Sequence, residues 1–221
     1  MENENFNVVN IGANNGKTGD FLYELIHLNS NWKVLFVEPV PYLFEELKSN
    51  FINNESRFYF ENIAINDGSE QFFYTVKKEI LLDKKFPDWA IQLSSFDKNN
   101  ILKHLGNDAE KFIDTKTIKG IDLISLLQKY QLQPDIIQID TEGYDWKILS
   151  QYDLTNSHIS IILFEKRHLS ESEITNAMKN LSEKYKVFCF DEDLLCIHQN
   201  LLNKNNLSKR ELEILFKFEF K

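Results

Sequence analysis

Short apolar runs alternate with amphipathic stretches along most of this chain. An unbroken apolar run of a few residues marks a strand buried on both faces, and a helical apolar period marks a helix lying on such a sheet. The first run, residues 7–11, passes through a glycine-rich turn into a helix predicted over 18–28. A second run over 33–38 leads through Pro39 and Pro41 into a helix over 42–51, since proline suits a first helical turn. A third strand over 58–65 closes on Asn66, Asp67 and Gly68, and 70–76 is expected to return beside it as a hairpin arm. Residues 77–113 are the least regular, with a short helix near 99–105. A strand-like 115–119, a helix over 121–130, a strand over 136–140 and a short helix over 144–150 follow. The chain then reads as a strand over 159–165, a helix over 171–184 and a hairpin of 187–191 with 194–198. A last helix is expected from Ser208, a good N-cap ahead of Lys209, Arg210 and Glu211. Strands and helices in alternation predict an α/β fold, a mostly parallel sheet with helices on both faces. One domain over 1–221 is expected, with 77–113 as an insertion that covers a substrate.

Composition narrows the class. At 221 residues and 43% hydrophobic content, the chain can bury a full core without disulfides or metals. A net charge of −9 opposes binding to a phosphate backbone, so nucleic acid is not expected as a partner. No basic stretch precedes an apolar core as in a signal peptide, and no run reaches membrane-spanning length. The two cysteines, Cys189 and Cys196, are too few for a disulfide framework. With a turn at Glu192 and Asp193 they become direct cross-strand neighbours, and they read as buried, reduced thiols of a cytoplasmic protein.

The candidate chemistry gathers at strand ends, where open α/β sheets bind their ligands. Gly12 and Gly16 in the first turn let backbone approach a ligand, and the following helix aims free N–H groups at it. Glu38, at the end of the second strand, is placed to hold ribose hydroxyls. The loop reads G-x-x-x-G, with Ala13 and Asn14 where a dinucleotide fingerprint needs its middle glycine, which points to an adenosine-bearing cofactor other than a dinucleotide. Further strand ends carry Glu61-Asn62-Ile63-Ala64, Asp140-Thr141-Glu142-Gly143 and Glu165-Lys166-Arg167-His168.

Taken in order, V-V-N-I-G-A-N-N-G at 8–16, F-V-E-P at 36–39, N-I-A-I at 62–65, Ser94-Ser95, 117–127, I-D-T-E-G-Y-D at 139–145 and F-E-K-R-H at 164–168 resemble the FkbM family of S-adenosylmethionine-dependent O-methyltransferases. The resemblance implies a Rossmann-like, seven-stranded class I methyltransferase sheet with a reversed C-terminal strand, which the helix-strand-hairpin ending fits. It implies cofactor contacts at Asn10, Gly12, Asn14, Gly16, Glu38, Asn62, Ala64 and Asp140, and acceptor chemistry around Asp140, Glu142 and Gly143. Asn10 departs from the family, which has an acid there, and so lacks a charge toward the cofactor's amino group.

A hydroxyl acceptor needs its proton removed beside the transferable methyl, by a base or with the help of a metal. Asp140, Glu142 and His168 are the candidate catalytic groups. Each has a plainer reading: Asp140 as an N-cap of the 144–150 helix, Glu142 as a partner of its dipole, His168 as a solvated loop residue beside Lys166 and Arg167. A lesser alternative has Asp140, Glu165 and His168 around Mg²⁺ that binds a vicinal diol. Trp89 reads either as a platform for a sugar face or as an apolar plug under its loop. With the first strand beginning at residue 7, cover for the substrate must come from 77–113 and the last helix, which suits the end of a sugar chain or another small acceptor. The competing classes are a nicotinamide-dependent oxidoreductase on the same sheet and an S-adenosylmethionine-binding protein without catalysis.

Overall fold

The computed structural model describes residues 5–51, 56–189 and 192–205, so the helix expected from Ser208 lies outside the described residues. The first half of the main sheet is built from β1 (Asn7–Ile11), α1 (Leu22–Leu28), β2 (Lys33–Val37), α2 (Pro41–Asn50) and β3 (Phe58–Glu61). An excursion follows: β4 (Glu70–Val76), β5 (Ser94–Ser95), α3 (Lys98–Leu105) and β6 (Ile113–Lys119). The chain then returns through α4 (Leu123–Lys129), β7 (Ile136–Ile139), α5 (Asp145–Leu149), β8 (Ile161–Glu165), α6 (Glu171–Leu181), β9 (Tyr185–Cys189), β10 (Asp193–His198) and α7 (Gln199–Asn205).

The seven strands of the main sheet lie in the order β3-β2-β1-β7-β8-β10-β9. Helical crossovers make the strands parallel, while the short β9–β10 connection forces β10 to run against both of its neighbours. Side chains alternate between faces. Val9, Ile11, Leu35, Val37, Ile137 and Ile139 pack under α4, α5 and α6, and Val8, Val34, Phe36, Ile136 and Leu163 pack against α1 and α2. Both faces are covered, which is why these strands read as mostly apolar runs, with Asn10 and Gln138 as buried polar residues in β1 and β7. Each aliphatic side chain buried this way contributes about 1.5–3 kcal/mol relative to exposure.

Two expectations fail. The segment 70–76 does not return along β3; it forms a separate three-stranded sheet in the order β5-β4-β6. All seven residues of β4 find partners in β6, whereas β3 is only four residues long. Asn66 turns the chain away, donating to the Ser69 carbonyl and accepting from the Gly68 N–H. Nor are the two cysteines opposite each other. The hairpin turns one residue earlier than expected, pairing Cys189 with Leu194 and Cys196 with Val187. Only Cys196 is buried; Cys189 is exposed.

The segment 77–113 carries a core of its own, with Ile80, Ala90, Leu93, Ile101 and Ala109 packed on Val76 of β4. Among the described residues no helix is long and apolar enough to cross a membrane.

Candidate active site

After β3 the chain comes back to the far side of β1, so β1 and β7 are neighbours whose following loops leave on opposite faces. A crevice opens at such a reversal. Its inner part is lined by Gly12, Asn14, Glu38, Ala64, Phe96 and Asp140 among others, and its outer part by Asp20, Trp89, His104, Glu142, Glu165 and Arg167 among others. Asn14, Asp140 and Glu142 border both parts.

The inner cleft is built on backbone. Gly12 has φ +74°, and a Cβ there would overlap the Asp140 carbonyl, so the first turn and the end of β7 meet as closely as two backbones can. Glu38 is buried, with its Oε2 accepting from the Asn14 N–H at 2.8 Å and its Oε1 from the Val40 N–H at 2.8 Å. Burial outweighs these two bonds and pushes its carboxyl up to about 7. Each oxygen keeps a lone pair for a further donor. Ala64 is buried in the wall.

Three of the expected cofactor contacts lie elsewhere. Gly16 has φ +69° and abuts Leu47 and Phe51, so its missing side chain makes room for α2 rather than for a ligand. Asn62 is exposed and donates to the Glu38 carbonyl at 2.8 Å, tying β3 to the end of β2. Asn10 shares a strand face with Val8, so it is fully buried toward α1 and borders neither part of the crevice. Its Nδ2 donates to Asp20 at 2.7 Å, and Gln138, opposite it in β7, reaches the same carboxylate. An acid thus stands next to Asn10 at Asp20, which lines the outer cleft. Burial, partly offset by bonds from the Leu22 N–H, Asn10 and Gln138, pushes that carboxyl up to about 6.

Asp140 is exposed to the cleft, although protein surrounds it elsewhere. Its carboxyl is held well above the usual carboxylate range, first by that depth and then by Glu142, Asp145, Asp193 and Asp20. It does not cap the following helix. The helix-capping position belongs to Tyr144, which makes no side-chain cap bond. Asp145 carries the polar load instead: it is fully buried, accepts from Thr141 Oγ1 and the N–H groups of Gly143 and Glu165, and burial pushes it up to about 7.

Glu142 sits at φ +53°, an uncommon conformation for a residue with a side chain. Its carbonyl accepts from Ser95 Oγ at 2.8 Å and Asn100 Nδ2 at 2.7 Å. Its Oε2 lies 3.1 Å from His104 Nε2 and 3.3 Å from His168 Nε2, and the two histidine nitrogens are 2.7 Å apart. Burial drives Glu142 up, but the two histidines overcome it and hold the carboxyl at about 2. Their side chains are 9% and 3% exposed, so His168 is not the solvated loop residue its neighbours suggest. The structure thus brings His168 to Glu142 and His104. Asp140 and Glu165 stand beside this cluster rather than in it. Glu165 is pushed up to about 9 by burial and by the charges of Glu142, Asp140, Asp145 and Asp193.

His104, Asp20 and Asp145 were not among the expected site residues. Asn100 and His104, one turn apart on α3, both face the 142–143 loop, and this spacing is the one local signal for His104. Its meeting with His168, 64 residues away, has no local signature. Trp89 is 45% exposed at the rim with its ring nearly perpendicular to that of His104, so it is no plug. Arg167 pairs with Glu192 across the mouth of the outer cleft.

The methyltransferase FkbM domain matches residues 10–188 of this chain. None of the curated proteins matches it. Among solved structures, methyltransferase FkbM from Methylobacillus flagellatus KT superposes with a TM-score of 0.53 at 13% identity, over 86% of this chain and 43% of that one. This chain thus spans less than half the length of that protein. The O-methyltransferase from Bacillus cereus in complex with SAH gives 0.45 at 13% identity, over 87% of this chain and 74% of that one. The SAM-dependent O-methyltransferase from Thermotoga maritima gives 0.42 at 9%, over 88% and 60%. At 13% identity the first likeness speaks for the fold alone, and the two lower scores carry no weight.

Proposed function

This chain belongs to the FkbM methyltransferase family, and on that premise we propose that it methylates a hydroxyl of a sugar, a glycan terminus or another small acceptor, with S-adenosylmethionine as donor. The observation that carries the reading is the meeting of an inner recess walled by Glu38 and Ala64 and an outer, acid- and histidine-rich one at Asp140 and Glu142. The donor supplies an electrophilic methyl carbon, whose bond to sulfur breaks as the acceptor oxygen bonds to it. Everything else is positioning and proton management by the protein.

Glu38, with a free lone pair on each oxygen, would take the ribose hydroxyls, and Ala64 the adenine face. Asp20, not Asn10, would meet the donor's amino group. Asp140 would receive the acceptor's proton. It is exposed to the cleft at the point where the inner and outer parts meet, which is where a base for the acceptor's proton has to stand. Glu142 and His168 would shape the acceptor side. The half-exposed Trp89 at its rim supports a sugar, since an aromatic face packs on the apolar face of a pyranose. The segment 77–113 supplies Gln92, Ser94, Phe96 and His104 to the crevice walls and would cover the bound acceptor. No nucleic-acid partner is proposed, on the net charge of −9, and two free cysteines suit a reducing, cytoplasmic setting.

Label transfer from methyl-labelled S-adenosylmethionine to a panel of sugars, rhamnose-rich glycans and non-sugar hydroxyl acceptors tests this. Label is expected on a glycan or sugar hydroxyl, and Asp140→Asn is expected to cut kcat by about 100-fold or more, the scale of a lost general base. Binding of S-adenosylhomocysteine with no label on any acceptor would leave a cofactor-binding protein without this activity.

A further inference from the structure

We propose that His104, Glu142 and His168 form a binding site for a divalent first-row transition ion at the outer cleft. Three atoms, two imidazole Nε2 and Glu142 Oε2, form a triangle with edges of 2.7, 3.1 and 3.3 Å. With metal–ligand bonds of about 2.0–2.2 Å, ligands at right angles stand about 2.8–3.1 Å apart. The triangle therefore has the dimensions of one face of a coordination polyhedron, which leaves the opposite positions for water or an acceptor oxygen.

Hydrogen bonding alone does not account for this contact. An imidazole Nε2 either carries a hydrogen or offers a lone pair, never both. Two such nitrogens and one carboxylate oxygen consequently cannot hold a hydrogen along every edge. A cation draws all three lone pairs to one point and satisfies them together. The surroundings fit that role. The Glu142 carbonyl is pinned by Ser95 and Asn100 with its backbone held at φ +53°, so the ligand side chain is aimed before anything binds. Glu165 Oε2, buried in the wall beside the triangle, has no hydrogen-bond partner among the described residues. Two nitrogen donors and one oxygen favour Zn²⁺, Mn²⁺, Fe²⁺ or Co²⁺ over Mg²⁺ or Ca²⁺, which want oxygen throughout. This donor set differs from the oxygen-rich one with Asp140 and Glu165. The site's use in orienting or acidifying an acceptor hydroxyl rests on the methyl-transfer reading; the site itself does not.

The test is Co²⁺ titration of the chelator-stripped full chain, followed by visible absorption, with Zn²⁺ as competitor. Nitrogen-ligated d–d bands are expected to saturate at one equivalent, to vanish on adding Zn²⁺, and to survive excess Mg²⁺. His104→Gln and His168→Gln are expected to weaken Co²⁺ binding by about 100-fold or more, beyond what the loss of an outer partner does. Wild-type protein without such bands, or bands that persist unchanged in both variants, overturns the site. Should a variant fail to melt cooperatively, the wild-type spectrum decides alone. S-adenosylhomocysteine calorimetry on the same samples separates the two claims: binding without the Co²⁺ bands sinks only the metal, and Co²⁺ bands without binding sink only the methyltransferase reading.

Discussion

At the scale of single residues, Asn10 shows how strand parity overrides a motif. Its place in the first motif suggests a cofactor contact, yet its side chain leaves β1 on the α1 face and meets Asp20 in a dry layer. Asn10→Asp would set two carboxylates against each other there. It is expected to lower stability by about 1–3 kcal/mol, the cost of a buried polar clash, and not to tighten S-adenosylmethionine binding. Thermal melting and calorimetry read both effects, and tighter binding would return position 10 to the cofactor site. Asp20→Asn, by contrast, is expected to weaken S-adenosylmethionine at least about tenfold, the scale of a lost charged hydrogen bond, while leaving the apo protein no less stable. Gly12→Ala faces a different obstacle: the φ of +74° and the Asp140 carbonyl leave no room for a methyl group. A loss of about 2 kcal/mol or more is expected in chemical denaturation.

Among the elements, α3 matters most, because a short helix outside the main sheet carries both Asn100 and His104 to the loop after β7. Its N-terminus is held by Asp97, whose carboxylate accepts from the Asn99 N–H. Asp97→Ala should cost about 1 kcal/mol, as lost N-caps do. The loss should fall on the outer cleft: kcat/KM drops several-fold while S-adenosylhomocysteine affinity stays within twofold of wild type. An equal loss in cofactor affinity would mean that α3 and the inner cleft move as one. The β4–β6 ladder is the platform for this helix, and it is the element that local sequence misassigned. A turn at Asn66 and Gly68 predicts a hairpin, but the partner is chosen by length and by apolar complementarity with a strand some forty residues on.

For the whole molecule, the acids held at the crevice set its response to pH. Asp20, Glu38 and Asp145 keep their protons in the folded state to about 6, 7 and 7, above the ordinary aspartate and glutamate values of the unfolded chain. Between about 4.5 and 7 the folded protein binds more protons than the unfolded one, so stability falls as pH rises through this window, and Glu165, held up to about 9, carries the fall further. Glu142, held at about 2, contributes stability that is complete above about 4.5 and is lost only as pH falls below that window, so it does not alter the slope within it. Urea denaturation of chelator-treated protein at pH 5 and pH 8 should show the greater stability at pH 5. Glu38→Gln should remove up to about 3 kcal/mol of the difference, and a stability that rises across the window would refute the burial of these groups. The order of strands and helices, the closing hairpin and the crevice at the strand ends were legible in the chain itself, while the reversed last strand was what the family resemblance implied. The first three follow from apolar period, turn residues and connection length, all of which act between near neighbours. What only the tertiary structure decided is which side chains face the crevice. The burial of Asn10 against Asp20, the packing role of Gly16 and the union of His104 with Glu142 and His168 depend on strand parity and on tertiary contacts. Such contacts are selected by the packing of the whole core, and no local pattern records them.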